Sequence, residues 1–196
     1  MNVLFDMDNI NLPANHCGLD EAGRGCLAGP VYAAAVILPA SFKWQLADSK
    51  KLSPAQRQQL YHIIINEADY SVATAGVAEI DNLNILQASL LAMGRAFAGL
   101  KGRPELALVD GNQLPKLPIK AYAIIKGDDK IPSIMAASIV AKVERDSYML
   151  KLAQEDNRYG YQNHKGYPTA EHKQALKKYG LSEHHRLSFK VKENRE

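Results

Sequence analysis

The sequence predicts an α/β fold in which helices flank a mixed β-sheet. Three short β-rich runs, separated in one place by a helical segment, occupy the first part of the chain, and strands then alternate with helices in the second part. This order of elements is typical of layered α/β proteins. The chain contains no internal repeat and no low-complexity segment.

The first part of the chain contains three strands and one helix. Residues 17–20 end a first strand, the almost continuous apolar run 31–38 predicts a second that is buried on both faces, and residues 71–77 alternate weakly and predict a third. A helix over residues 53–68 begins at Ser53-Pro54-Ala55-Gln56. This segment combines a capping serine, a proline at the first helical position and a glutamine that closes the capping box.

The second part alternates helices with two further strands. After Asp81 and Asn82, which can cap a helix, apolar residues recur at helical spacing until Gly99. The β-rich runs 105–109 and 121–125 predict strands. The remaining elements are a helix from Pro132 with small residues that allow close packing, a loop over 159–169 and a short helix over 170–179 before a basic tail.

The composition is that of an ordinary globular protein. The 196 residues are 46% hydrophobic and 23% charged, which predicts a single domain over 1–196 with a small C-terminal loop and helical extension over about 159–190. Residues 1–15 have no clear period and predict a loosely held lead-in. Cys17 and Cys26 lack the spacing of a zinc site or a disulfide framework, so we expect free thiols.

The N-terminal region lacks the features of a secretory signal. No Lys or Arg precedes Arg24, and no apolar stretch approaches the roughly 18 residues that a membrane span requires. We therefore expect a cytoplasmic protein that does not contact membranes.

Positive charge is concentrated towards the C-terminus. Residues 142–196 carry 12 Lys or Arg against 8 Asp or Glu, whereas residues 1–141 carry 12 against 13. A mildly basic end joined to an acidic part suits a nuclease that attracts a polyanion and cuts it at metal ions. The same asymmetry is also common in proteins that bind no nucleic acid.

Acidic residues follow three of the predicted strands. Asp20 and Glu21 end the first strand, and Asp110 and Asp128 follow the two later ones. Because ligands collect where the strands of α/β sheets terminate, we expect these carboxylates to converge. Four acids at one point would repel one another without cations, and hard oxygen ligands suit Mg²⁺ or Mn²⁺. The alternatives are a simple turn at Asp110 and a helix-capping role for Asp128.

A glycine-flanked arginine follows the first acidic pair. Gly23 and Gly25 allow backbone amides to approach a ligand closely, and Arg24 supplies a permanent positive charge. At DEAGRG, residues 20–25, and at Gly29-Pro30-Val31 the sequence strongly resembles ribonuclease HII. The resemblance extends over residues 17–190 and includes DSKKLS at 48–53 and HKGYPT at 164–169. It implies the ribonuclease H-like fold.

The resemblance implies a catalytic metal site. Asp20, Glu21, Asp110 and Asp128 fall on the family's four acidic positions, which makes them the expected catalytic residues and metal ligands. Asp146 also belongs to the family pattern and is a rival for the fourth place. It lies almost four turns into the helix from Pro132, far from a site at the start of that helix, which favours a structural role. The expected cofactor is Mn²⁺ or Mg²⁺, with two ions in the substrate complex.

The resemblance also implies a site that reads ribose. Backbone groups of Gly23, Arg24 and Gly25 are expected to contact the 2′-hydroxyl, which distinguishes RNA from DNA. Tyr167 is expected to stack on the neighbouring sugar, so that the two elements read an RNA–DNA junction. The alternative is a surface turn with a packing tyrosine.

Three lysines complete the expected substrate-binding residues. Lys50 and Lys51 suit contacts with phosphate, although solvated lysines on a loop are an alternative, and Lys165 belongs to the HKGYPT segment. His184 and His185 could offer a general base, but contact with a helix end or a phosphate is the favoured interpretation.

These expectations describe a metal-dependent endoribonuclease. Its substrates would be the RNA strand of RNA–DNA hybrids and single ribonucleotides in duplex DNA, cut on the 5′ side to leave 5′-phosphate and 3′-hydroxyl ends during ribonucleotide removal. The alternatives are a catalytically silent hybrid-binding protein and another nuclease or integrase of the same fold. We expect a monomer, and the short charged tail after Phe189 predicts no clamp-binding peptide.

Overall fold

The computed structural model describes residues 12–189, which form a five-stranded mixed sheet with helices on both faces. The strands lie in the spatial order β3-β2-β1-β4-β5. The first three strands pair antiparallel, and β4 and β5 continue the sheet parallel to β1. The predicted fold class is confirmed. The strands are β1 (His16–Ala22), β2 (Val31–Ile37), β3 (Asp69–Ala75), β4 (Leu106–Asp110) and β5 (Lys120–Ile124).

Six α-helices and a 3₁₀ turn connect and cover these strands in the described part of the chain. The predicted capping box of α1 is confirmed, because the Ser53 hydroxyl accepts from the amide of Gln56 while the Gln56 side chain accepts from the amide of Ser53. The 3₁₀ turn spans Gly127–Asp129. The helices are α1 (Pro54–Glu67), α2 (Val77–Leu83), α3 (Ile85–Ala98), α4 (Pro132–Glu155), α5 (Tyr161–His164) and α6 (Ala170–Tyr179).

The region between β3 and α3 differs from the prediction. The strand ends at Ala75, and after Gly76 seven residues form α2, which is too short to show a helical period in the sequence. Asp81 and Asn82 therefore lie inside α2 and do not cap α3. The cap is Asn84, whose side chain accepts from the amides of Leu86 and Gln87. The predicted loop over 159–169 also differs, since it contains the single helical turn of α5.

Helix α4 lies directly against β1, and this contact places the acidic residues. A Cβ atom on Gly18 would lie 2.1 Å from the main-chain carbonyl carbon of Ser133, so only glycine permits so close an approach. Two residues further along β1, the side chain of Asp20 lies close to Ser138 of α4, which favours the charged form of the carboxylate and lowers its pKa. The other face of β1, including Leu19, packs into the apolar core formed with α3.

The C-terminal segment returns to the loop between β1 and β2. The amide of Arg186 donates to the carbonyl of Leu27 at 2.9 Å, and the amide of Gly29 donates to the carbonyl of His184 at 2.8 Å. The next two residues, Leu187 and Ser188, donate hydrogen bonds from their amides to the carboxylate of Asp81. The expectations for the lead-in before residue 12 and for the tail after Phe189 fall outside the described residues.

Two further sequence expectations concern the described residues. Cys17 and Cys26 are both free and buried, as expected. Within residues 12–189, no helix has the length and apolar character needed to cross a membrane.

Candidate active site

Three carboxylates meet at the C-terminal edge of the parallel part of the sheet. Asp20, Asp110 and Asp128 each offer an oxygen atom, and these three atoms lie within 4.8 Å of one another. Strands β1 and β4 are parallel neighbours, so their ends deliver Asp20 and Asp110 to one place. Asp128 arrives from the 3₁₀ turn, which is fixed there because Asp110 Oδ1 accepts from the amides of Gly127 at 2.7 Å and Asp128 at 3.3 Å.

The cluster is suited to a divalent cation. Asp20 is 4% exposed and Asp128 is 6% exposed. Burial raises the pKa of Asp20 well above its usual range, and the nearby charges of Glu21 and Asp110 raise it further. Burial and the charge of Asp128 likewise raise the pKa of Asp110. A cation would remove this repulsion, and an all-carboxylate donor set fits Mg²⁺ or Mn²⁺.

Glu21 lies beside the cluster but is not one of its three converging carboxylates. Its charge helps to raise the pKa of Asp20, and the charge of Asp110 acts on Glu21 in turn, so the carboxylate lies close to the cluster. Its Oε1 accepts from Nη1 of Arg24 at 3.0 Å. Burial raises the pKa of Glu21, and the positive charge of Arg24 partly offsets this rise. The acidic pair and the glycine-flanked arginine are therefore physically joined.

The DSKKLS loop closes over the cluster. Lys50 Nζ donates to Asp128 Oδ2 at 2.7 Å, although the Lys50 side chain is 75% exposed. This hydrogen bond is the main reason that the pKa of Lys50 is raised. Lys51 forms an ion pair with Asp129 in the same way. The predicted phosphate-binding lysines thus lie at the rim of the acidic site.

Asp146 lies outside the group of converging carboxylates. Its Oδ1 accepts from Lys142 Nζ at 2.8 Å on the surface of α4. The cluster lies against the first two turns of α4, because Asp128 belongs to the 3₁₀ turn just before this helix and Asp20 faces Ser138. Asp146 is eight residues beyond Ser138, which places it about 12 Å further along the helix axis.

The two elements of the expected ribose-reading site lie side by side. A Cβ atom on Gly25 would be 4.0 Å from Cε1 of Tyr167, which is ordinary van der Waals contact. The side chain of Cys26 lies close enough to Tyr167 to help raise the pKa of the phenol. The ring of Tyr167 is 38% exposed, with the guanidinium of Arg145 5.8 Å from its centroid. The loop that contains Gly23, Arg24 and Gly25 therefore shares one surface with Tyr167.

Two further residues named from the sequence lie in the C-terminal part of the described chain. Lys165 Nζ donates to the carbonyl of Gln162 at 2.5 Å, and its contact with the substrate stays a prediction. His185 is 2% exposed, and the expected contact with phosphate is wrong for this residue. Burial lowers the pKa of His185 to about 4.

Sequence reasoning missed two buried arginines behind the Gly23–Gly25 loop. Arg145 is fully buried, and Arg186 is 1% exposed. Arg186 donates to the carbonyls of Gly23 and Gly29 at 2.8 Å and of Arg24 at 2.9 Å. Main-chain carbonyls occur at every residue, so no sequence pattern could have revealed these partners.

Fold and site define an α/β protein with an acidic centre of the kind that supports metal-assisted phosphodiester hydrolysis. The sequence profile of ribonuclease HII matches residues 17–192. Ribonuclease HII of Verminephrobacter eiseniae is 57% identical over 174 residues, which cover 88% of this chain and 83% of that protein. Ribonuclease HII of Ruegeria pomeroyi is 54% identical over 176 residues, covering 89% of this chain and 75% of that protein. The chain belongs to the ribonuclease HII family.

Solved structures agree with this assignment. RNase HII of Archaeoglobus fulgidus, from its complex with PCNA, superposes with a TM-score of 0.76 at 27% identity, covering 92% of this chain and 97% of that chain. Ribonuclease H2 of Pyrococcus horikoshii gives 0.75 at 27% identity over 90% and 94%. Bst-RNase HIII in complex with Mn²⁺ shares the fold, with a TM-score of 0.65 at 17% identity over 84% and 62%.

Family membership establishes the general activity. The protein is a nuclease that hydrolyses phosphodiester bonds, and the family supports ribonuclease H endonuclease activity on RNA–DNA hybrids.

Proposed function

We propose that this enzyme, besides cutting the RNA strand of hybrids, cuts on the 5′ side of single ribonucleotides embedded in duplex DNA. The products would carry 3′-hydroxyl and 5′-phosphate ends, and the role would be ribonucleotide removal. The observation that carries this proposal is the hydrogen bond between Glu21 and Arg24, which joins the acidic cluster to the loop expected to read the 2′-hydroxyl. Cleavage and ribose recognition would thereby act on neighbouring positions of one strand.

The acidic residues supply a site for divalent ions. Asp20, Asp110 and Asp128 would hold them, with Glu21 as the fourth acidic residue beside the cluster. Bound Mn²⁺ or Mg²⁺ would supply charge neutralisation for the phosphodiester and a lower pKa for the attacking water. Asp110 is oriented for this task because its Oδ1 is held by the amide of Gly127.

Positive side chains at the rim suit the nucleic-acid backbone. The exposed Lys50 lies next to Asp128, where its ammonium group can contact a phosphate beside the cut. The side chain of Arg24 is 47% exposed and adds a second cationic group next to Glu21. Such contacts orient the substrate without reading its sequence.

The surface shared by Gly25 and Tyr167 suits the ribose that marks the cut. Backbone groups of Gly23, Arg24 and Gly25 would contact the 2′-hydroxyl, because side-chain-free residues can enter the shallow minor groove. The exposed ring of Tyr167 would stack on the next sugar, which tolerates deoxyribose and disfavours an added hydroxyl. The pair would therefore select the junction from RNA to DNA.

The oligomeric state, location and partners follow as part of the same proposal. We infer a cytoplasmic monomer that acts on its nucleic acid without a clamp partner. The RNase HII of Archaeoglobus fulgidus was solved with PCNA, so a pull-down against a sliding clamp tests this inference.

The test is a labelled duplex that contains one ribonucleotide, incubated with Mn²⁺, Mg²⁺ or a chelator, beside an all-DNA duplex as control. We expect one metal-dependent cut on the 5′ side of the ribonucleotide and no cut in the control. Extension of the upstream product by a polymerase would demonstrate its 3′-hydroxyl. Tight binding without any cleavage in either metal would instead support the catalytically silent alternative.

A further inference from the structure

Three buried histidines lie behind the loop that carries Tyr167, and the proposed function does not use them. His164, His172 and His185 are 7%, 0% and 2% exposed. The rings of His164 and His172 stack with centroids 4.5 Å apart, and Nε2 of His172 lies 3.1 Å from Nε2 of His185. Because a neutral imidazole donates from one nitrogen and accepts at the other, its partners determine where the proton lies.

Backbone partners leave one consistent proton arrangement in the chain from Ser182 to Tyr167. The amide of Ser182 can only donate, and it lies 2.9 Å from Nδ1 of His185, so His185 carries its proton on Nε2. That nitrogen donates to Nε2 of His172. His172 in turn carries its proton on Nδ1 and donates it to the main-chain carbonyl of Tyr167 at 3.0 Å.

The third histidine holds the residue before Tyr167. Nδ1 of His164 accepts from the amide of Gly166 at 3.1 Å, and its Nε2 donates to the carbonyl of Tyr159 at 2.8 Å. Two stacked neutral rings therefore fix the amide of Gly166 and the carbonyl of Tyr167. These contacts set the main-chain direction from which the Tyr167 ring projects.

An additional proton at any of the three acceptor nitrogens would remove one of these hydrogen bonds. On Nε2 of His172 the proton would face the N–H of His185, and on Nδ1 of His185 or His164 it would face a backbone N–H. Burial already opposes such a charge, since it lowers the pKa of His172 and brings that of His185 to about 4.

Some groups packed around the histidines raise their pKa values, and others lower them. The carboxylates of Asp156 and Glu171 favour protonation, whereas His184 disfavours it. Two phenols contact the set without bringing a charge: the hydroxyl of Tyr161 lies 3.4 Å from Nε2 of His185, and the ring centroid of Tyr159 lies 4.7 Å from that of His185.

We propose that His172 and His185 are positioning residues for Tyr167: their neutral hydrogen-bonded chain fixes its main chain towards the substrate. This inference rests on the proposed role of Tyr167 at the RNA–DNA junction. Its consequence is that loss of this hydrogen-bonded chain weakens the preference for single ribonucleotides, whereas both substrates share the acidic metal site.

The test measures a selectivity ratio, defined as kcat/KM on a duplex with one ribonucleotide divided by kcat/KM on a long RNA–DNA hybrid. Changes at the metal site affect both substrates and cancel in this ratio. His172→Phe keeps the ring shape but removes both hydrogen bonds, and we expect it to lower the ratio by about tenfold, the effect of one or two lost hydrogen bonds. His172→Asn keeps a donor near the Nδ1 position and should restore most of the ratio.

A double-mutant cycle shows whether the effect passes through Tyr167. In a Tyr167→Ala background, His172→Phe should leave the ratio unchanged, because no ring remains to be positioned. The exposed His62 on α1 provides a matched control, and His62→Phe should leave the ratio at the wild-type value. An equal fall of the ratio with and without the Tyr167 ring would overturn the proposal.

His185→Phe, which removes the ring that donates to His172, covers the case in which His172→Phe does not fold. It should lower the ratio in the wild-type background and leave the ratio unchanged beside Tyr167→Ala. An unchanged ratio in His185→Phe alone would contradict the chain from His185 to Tyr167. If wild type does not cut the single-ribonucleotide duplex, the proposed function fails; if it cuts and the ratio ignores both His172 and His185, only the positioning role fails.

Discussion

The side chain of Arg145 packs against the α-carbon of Gly23, with its Nε 1.9 Å from the place where a Cβ atom would be. Gly23 also has a φ of +96°, which side-chain-bearing residues rarely adopt. Glycine is therefore required at position 23 for two reasons: the backbone conformation has a positive φ, and the buried arginine leaves no room for a Cβ atom.

Gly23→Ala should lower both stability and activity. The positive φ alone costs about 1 to 2 kcal/mol, and displacing the buried Arg145 adds to this cost. Gly180→Ala is the matched control, because Gly180 has a φ of +73° and nothing within 4 Å of its would-be Cβ. Urea unfolding should show a larger loss for Gly23→Ala; equal losses would mean that the contact with Arg145 is easily relieved.

Asp110→Asn should abolish cleavage while preserving the fold and hybrid binding. Asparagine keeps an Oδ1 that can accept from the amide of Gly127, so the 3₁₀ turn stays in place while the negative charge is lost. Loss of one ion should slow the reaction by orders of magnitude, or several kcal/mol of transition-state stabilisation. Single-turnover rates in Mg²⁺ and hybrid binding by anisotropy test this, and a near wild-type rate would exclude Asp110 as a ligand.

Asp128→Asn should damage the rate far more than Asp146→Asn. Asp128 converges with two other carboxylates, whereas Asp146 pairs with Lys142 on the helix surface. This i,i+4 pair is partly buried, so its loss should cost some stability, but the rate should stay near the wild-type value because Asp146 is not one of the converging carboxylates. Parallel measurement of kcat for the two variants shows which residue is the fourth metal ligand. A larger loss of rate in Asp146→Asn would assign this role to Asp146.

Tyr167→Ala should retain metal binding but lose most activity on a duplex with one ribonucleotide. Stacking on an aromatic ring contributes about 1 to 3 kcal/mol where it has been measured on bases. Long hybrids present ribose on both sides of the cut and should depend less on the ring. The comparison of the two substrates is therefore diagnostic, and an equal fall on both would show that Tyr167 serves general binding or the fold.

His185 should make the protein less stable in mild acid. Its pKa is lowered from 6.5 to about 4 in the folded state, so between these pH values the unfolded chain binds a proton that the folded protein does not. Above pH 6.5, His185 thus contributes roughly 3 kcal/mol to the free energy of unfolding. This contribution is lost as the pH falls to about 4.

Urea unfolding of wild type and His185→Gln at pH 7 and pH 4.5 isolates this contribution. The raised pKa values of Asp20 and Asp110 act in the opposite direction, but they are common to both proteins and cancel in the difference. Wild type should lose more stability than the variant between the two pH values, and equal losses would show that His185 does not titrate in this window.

The sequence by itself determined the fold class and the acidic site to a large extent. Apolar runs that end in Asp20 and Asp110 are local features, and parallel strands must bring their ends to the same edge of a sheet. The capping box at Ser53 is equally local, because all its partners lie within four residues. Helix α2 was not predicted, because seven residues are too few to show a helical repeat of apolar residues.

Only the tertiary structure decided what supports the site. Asp146 belongs to the same sequence pattern as the cluster, but the packing of α4 on β1 places Ser138 beside Asp20 and leaves Asp146 on the helix surface. Arg186 reaches Gly29 across 157 residues, and His172 holds the carbonyl of Tyr167 through its ring. Backbone carbonyls are chemically identical at every position. The folded structure therefore determines which donor each of them meets, and the order of residues alone does not.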